Sequence, residues 1–303
     1  MTVKIETKLD KLVIGFKCPP IPKGEWGAKL TEEEKHVIHS QRAENLALMR
    51  HIEKMIKLGK HFVQKTGQKG LRRYCVLSEF TDKPLFYVQL GNIGGVWVIN
   101  FEWNPTKLSW EEQGEFLANL QPMLYDHYDE LYYKGVVSHA EFAVDVYGVD
   151  ISDLVLIEKG RKTYSKTGTT TYSGLRGSPH VLTVYNKAKQ LSLSELWVRI
   201  EVRIKRRDIP FRQLVEETPI GNPFGNAIIV DVKQLQLIAA EFGKPELATH
   251  IMELGLNGAV KNKQLRLKIF SRLQEVAVEW WKPEQFWSQH QALLKGLHPH
   301  QYK

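Results

Sequence analysis

At 303 residues with 43% hydrophobic side chains, the chain can bury one large core or two moderate ones, which excludes a disordered polymer and a disulfide-stapled miniprotein. Lysine and arginine exceed the acids by 42 to 34, and the resulting +8 charge and pI near 9.2 favour a polyanionic partner. The two cysteines, Cys18 and Cys75, lack metal-ligand spacing and suit a reducing cytoplasm, and no stretch approaches the ~18 apolar residues of a membrane span.

The opening MTVKIETKLDK alternates charged and apolar residues, so no targeting segment is expected and the protein is predicted to be cytoplasmic. Leu12 to Phe16 reads as a strand, closed by the proline-rich Cys18 to Pro22. Thr31 with Glu34 three residues on forms a capping box, predicting a helix to about Leu58 before Gly59. Strands follow at Tyr74 to Leu77, Leu85 to Leu90 and Val96 to Trp103, the last two joined by the glycine-rich Gly91 to Gly95. Trp97, Ile99, Phe101 and Trp103 share one side of their strand; core packing is the favoured use, and a base-stacking platform the other. Ser109 and Glu112 cap a further helix, whose His127 has no partner at metal-ligand spacing.

Three charged strands come next. In His139 to Tyr147, Ala140, Phe142, Val144 and Val146 oppose His139, Glu141, Ala143 and Asp145. In the run from Ser178, Leu182 and Val184 oppose Thr183, Tyr185 and Lys187, and Thr169 to Tyr172 is expected to pair with it as a hairpin. In Trp197 to Lys205, Val198, Ile200, Val202 and Ile204 oppose Trp197, Arg199, Glu201, Arg203 and Lys205. If these strands share a sheet, one face gathers three acids, several cations and a tyrosine, the equipment of a phosphodiester-handling site. Between Lys159 and Lys189 there are seven basic residues and no acid. Arg161, Lys162, Lys166, Arg176, Lys189, Arg199, Arg203, Lys205, Arg206 and Arg207 are accordingly the candidate DNA contacts.

Beyond Arg207, prolines and glycines break the chain and helices are predicted at Val232 to Phe242, Glu246 to Leu254, Lys261 to Trp281 and Gln285 to Leu294. The expected division is therefore residues 1–210, in two α+β halves that share a weak strand–helix–hairpin repeat, and a helical region over 211–303. That region either caps the sheet through Leu265, Leu267, Ile269 and Leu273 or grips DNA through Lys261, Lys263, Arg266 and Lys268.

The runs Thr169 to Gly174, Val184-Tyr-Asn-Lys-Ala-Lys189 and Trp197-Val-Arg-Ile-Glu201, with the turn Asn104-Pro-Thr-Lys-Leu108 upstream, resemble the Rep_trans replication initiators and relaxases of rolling-circle plasmids, filamentous phages and integrative conjugative elements. The likeness covers about residues 85 to 207, less securely back to Asp10. One departure is that His139 and Glu141 stand where the family tends to have arginine and aspartate.

The resemblance implies an α+β fold, an antiparallel sheet with helices on one face related to the HUH and ferredoxin-like folds, with the helical region appended. It implies that Tyr185, helped by Lys187, nicks one strand of an origin and stays attached to the 5′ phosphate, leaving a 3′ hydroxyl primer. Tyr164 and Tyr172 are the other candidate phenols. Glu141, Asp145 and Glu201 are then ligands to a divalent cation, and hard oxygen donors suit Mg²⁺ or Mn²⁺. DNA, single-stranded or cruciform at the nick site, is the partner, with a host helicase and a second copy of the chain left open. Two other readings use fewer of these residues: a DNA-binding protein without catalysis, and a metal nuclease in which water attacks.

Overall fold

A computed structural model describes residues 3–18, 30–59, 62–65, 67, 70–93, 96–124, 127–161, 164–175, 177–205 and 209–298. The packing divides the chain into two units, one of Met1–Leu9, Glu141–Lys205 and Ile220–Leu293 and one of Asp10–Ala140, Arg206–Pro219 and Leu294–Lys303. In this division the helices after residue 220 fall in the same unit as the charged strands of residues 180–205, whereas the expected boundary lay near residue 210. Strands β1 (Lys4–Cys18) and β6 (Val136–Tyr147) contribute residues to both units.

The unit that begins at Asp10 is built on the order β2-β3-β4-β5-β1, with β2 at Phe62–Lys65, β3 at Leu71–Leu77, β4 at Pro84–Ile93 and β5 at Val96–Trp103. All its registered pairs are antiparallel, with Ile14 opposite Phe101 and Val88 opposite Phe101. Helix α1 (Glu32–Leu58) starts at the predicted capping box, where Thr31 Oγ1 accepts from Glu34 N at 3.2 Å and Glu34 Oε2 accepts from Thr31 N at 2.7 Å. Helix α2 (Trp110–Leu120) begins at Ser109 and Glu112 in the same way. The aromatic strand is core here: Phe101 and Trp103 are buried, and Trp103 and Phe86 pack on Phe116 of α2 at 5.4 and 5.2 Å between ring centres. Helix α3 (His127–Lys134) adds Tyr132, which meets Phe211 of the short helix Phe211–Glu216 at 5.7 Å.

The other unit carries the order β6-β11-β10-β9-β8, with β8 at Tyr164–Thr167, β9 at Thr170–Ser173, β10 at His180–Asn186 and β11 at Trp197–Ile204. Its β9–β10 hairpin pairs Thr183 with Tyr172, as the sequence led one to expect. The one-turn helix α4 (Lys187–Gln190) follows β10 directly, capped by Asn186, whose Oδ1 accepts from Lys189 N at 2.7 Å. The short strand Ile209–Pro210 pairs with the start of β6.

A second sheet pairs β7 (Leu154–Glu158) with β12 (Ala227–Asp231). Helices α5 (Val232–Glu241), α6 (Leu247–Ala259) and α7 (Lys263–Glu275) close over it, burying Val155, Ile157, Val230, Leu235, Ile251, Ile269, Phe270 and Leu273. Helix α8 (Pro283–Lys295) packs Trp287 edge-on to Phe142 of β6 at 5.3 Å. The predicted helix from Lys261 to Trp281 stops at Glu275 because β12 needs an edge partner: Val278 N donates to Ile229 O at 2.9 Å, and Trp281 Nε1 to Ala227 O at 2.9 Å. Helix α6 kinks at Gly255, whose φ of 67° is open to glycine and strained for other residues, and the kink seats Tyr164 of β8. A Cβ at Gly255 would lie 2.9 Å from the Tyr164 ring. Gly255→Ala is expected to lower unfolding free energy by about 1–3 kcal/mol, measured by urea denaturation; an unchanged midpoint would show that the kink is not needed to hold β8.

Candidate active site on a charged sheet face

Direct opposition in the β10–β11 ladder puts Tyr185 across from Arg199, Thr183 across from Glu201 and Val181 across from Arg203, so these side chains share one face. Alternation places Glu141, Ala143 and Asp145 of β6 on one face of that strand. The opposite face buries Leu182, Val184, Ile200 and Val202.

The structure separates the three predicted acids. Glu201 Oε2 accepts a hydrogen bond from the Tyr185 hydroxyl at 3.2 Å, and carboxylate oxygens of Glu141 and Glu201 lie within 4.8 Å of one another. Glu141 also receives Arg203 Nε at 3.5 Å. Asp145 belongs to a different arrangement. Its Oδ1 takes Arg199 Nε at 2.6 Å, while its Oδ2 takes Arg199 Nη2 at 2.7 Å and Lys8 Nζ at 3.0 Å. Both oxygens are thus occupied by cations, which is the reason to correct its reading as a metal ligand. The fork of a guanidinium matches two carboxylate oxygens at once, and β11 delivers it in register.

Asp145 and Arg199 are buried, at 0% and 2% exposure. Arg199, which its position in the basic run had suggested as a DNA contact, is turned away from solvent onto Asp145. Burial pushes the Asp145 carboxyl upward, but the Arg199 hydrogen bonds and charge outweigh it and hold the group below the usual carboxylate range. Lys8, drawn down by burial and up by Asp145 and Glu6, is left raised. Lys4, Glu6 and Lys8 of β1 run into this cluster through contacts of 2.7 and 3.2 Å, giving the charge alternation of the first residues a structural use that the sequence had not disclosed.

Of the three phenols, Tyr164 is turned toward Gly255 and burial raises its pKa. Tyr172 stands across from Thr183, one strand further from Glu201 than the β10 residues. Tyr185 is the one of the three whose hydroxyl, among the described residues, donates to a carboxylate, that of Glu201. Lys187 Nζ lies 5.7 Å from the Tyr185 ring centre and donates to Gln190 Oε1 at 2.7 Å. Thr183 is buried, and its hydroxyl has no hydrogen-bond partner among the described residues. A polar group of that kind, on the face that holds Glu201, fits a hydrated cation or a substrate oxygen, and paired carboxylates supply the hard donors.

Among the predicted DNA contacts, Lys166, Lys189 and Lys205 are exposed. Arg161 is held by Glu158 through bonds of 3.2 and 3.0 Å, and Arg203 faces Glu141. Lys162, Arg176, Arg206 and Arg207 lie outside the described residues.

No protein-family profile and no curated sequence matches this chain. The solved structure of a rolling circle replication initiator protein from Geobacillus stearothermophilus is similar to it over 75% of this chain and 86% of that one, at 14% identity and a TM-score of 0.39.

Replacing Asp145 by asparagine leaves Arg199 as a buried, uncompensated charge, and is expected to cost about 3–5 kcal/mol of stability by chemical denaturation. In the wild type, the depressed Asp145 pKa contributes stability that is complete above the unfolded value of about 3.9 and is lost as pH falls through the lower folded value. The Asp145→Asn variant should therefore lose less stability than the wild type on acidification below about pH 4. Equal acid sensitivity in the two proteins would contradict this account.

Proposed function

We propose that the chain nicks and rejoins a DNA strand by transesterification through Tyr185, as a replication initiator or relaxase of the rolling-circle type. The observation that carries this reading is the Tyr185 hydroxyl donating to Glu201 at 3.2 Å on a face where Glu141 stands within reach of the same carboxylate. A phenol of pKa about 10 needs a base to attack at neutral pH, and in this reading Glu201, which accepts its hydrogen bond, takes the proton. The Tyr185 oxygen forms a new bond to phosphorus, and the bond from phosphorus to the 3′ oxygen breaks. The released 3′ oxygen acquires a proton from water and becomes the primer terminus. Because one phosphodiester replaces another, the reverse attack rejoins the strand without a nucleotide cofactor.

Glu141 and Glu201 are the residues that would hold a divalent cation. Such an ion, Mg²⁺ or Mn²⁺ by the hardness of the donors, supplies charge neutralisation at the phosphodiester. Lys187 adds a cation beside the phenol, and Lys166, Lys189 and Lys205 are exposed for strand phosphates.

Tyr185→Phe is expected to abolish the covalent protein–DNA adduct and nicking of supercoiled origin DNA while changing DNA affinity less than twofold. A denaturing gel that still shows an adduct would move the role to another residue, with Tyr172→Phe as the comparison. A wild type that nicks yet never forms an adduct would favour attack by water. Glu201→Gln should slow nicking by about 10²–10⁴-fold, and EDTA should stop it; EDTA-insensitive nicking would remove the cation from the scheme.

A further inference from the structure

The basic residues of α7 divide into two sets. Arg272 is neutralised by Glu241 and Glu275. Lys263 and Arg266, with Lys261 before the helix and Lys159 after β7, have no acidic partner among the described residues. These four cations line one hollow of about 490 Å³, and no carboxylate among the described residues lines it. A space of that size matches a nucleotide-sized ligand.

The hollow is shaped by backbone as much as by charge. Gly255 turns α6 so that Leu256, Asn257 and Gly258 form one wall, and the Asn257 side chain fastens that wall to the carbonyl of Arg161. Arg266 Nη1 donates to Val260 O at 3.0 Å, which fixes the guanidinium at the rim. Phe270 and Leu256 give the hollow an apolar base, with Lys159 Nζ 5.6 Å from the Phe270 ring centre. Helices α1 and α2 place glutamates in their first turns, where the helix dipole favours them, whereas α7 has no acid there and puts Lys263 at its first position. Cations at that end are electrostatically unfavourable in isolation and become favourable once an anion is bound.

We propose that Lys159, Lys261, Lys263 and Arg266 form a phosphate-ester site separate from the tyrosine and its glutamates, filled by the backbone of DNA or by a free nucleotide. The site does not depend on strand nicking, since its test reads binding alone. Full-length wild type and the triple variant Lys261→Gln/Lys263→Gln/Arg266→Gln are compared with two probes, a labelled 20-base-pair duplex across a salt series and ATP by calorimetry.

If DNA backbone fills the site, the triple variant loses about two to three from the slope of log K against log salt, since each duplex phosphate contact contributes about 0.9, and ATP at millimolar concentration neither binds nor competes. If a free nucleotide fills it, ATP binds the wild type at one site, the variant binds at least tenfold more weakly, and the duplex slope is unchanged. Lysine acetylation of the unmodified protein provides a second measurement: Lys261 and Lys263 should be protected by whichever probe binds. A variant matching the wild type with both probes, together with unprotected lysines, overturns the site. The triple variant should still form the covalent adduct with a single-stranded origin oligonucleotide, so loss of nicking and loss of this site are told apart.

Discussion

The buried pair of Asp145 and Arg199 is the constraint around which the charged sheet face is organised. Neither ion can be left alone in a region with almost no exposure, so β6 and β11 must present them in matching register, with Lys8 of β1 completing the charge balance. That register then determines everything else on the face. Two residues along β11 from Arg199 is Glu201, and across the ladder from Arg199 is Tyr185, which brings the phenol to the carboxylate. The ion pair is thus a positioning device for groups it does not itself touch.

Its second effect is a division of labour among acids of similar appearance. Asp145 is surrounded by fixed cations and stays ionised well below neutrality, which suits a structural counter-ion. Glu141 and Glu201 are set close together on the same side as the Thr183 hydroxyl, which has no partner among the described residues, an arrangement that suits a cation arriving from outside. The proposed nucleophile meets the second kind of carboxylate.

Much of this was legible in the sequence wherever the chain follows a simple period. Strict alternation in Trp197 to Lys205 identified which residues share a face, and the capping boxes at Thr31 and Ser109 located two helix starts to the residue. Alternation says nothing about which cation crosses to which acid, so Asp145 looked as available as Glu201, and Arg199 looked like a phosphate contact. That choice is made by strand order and side-chain reach, both tertiary properties. β12 was missed because Ala227 to Asp231 is a short apolar run among prolines and glycines, and its partner β7 lies far back in the chain. The same omission led to a helix that was too long, since the demand of β12 for an edge partner is what ends α7. The division into units was hidden for a related reason: the residues after 220 build their core on a strand supplied by residues 154–158.

The junction of β10 with α4 has a consequence for how this protein can vary. Because side chains alternate along a strand, adding or deleting one residue within β10 or β11 would turn Tyr185 or Glu201 into the apolar side of the sheet and bring a valine or isoleucine to the charged side. The exposed stretch between Leu193, whose N donates to Ala188 O, and Leu196, whose O accepts from Gly148 N, carries no such register. Homologous chains can therefore differ freely in length there, and a tag or reporter domain inserted at that point would leave tyrosine and glutamate facing each other.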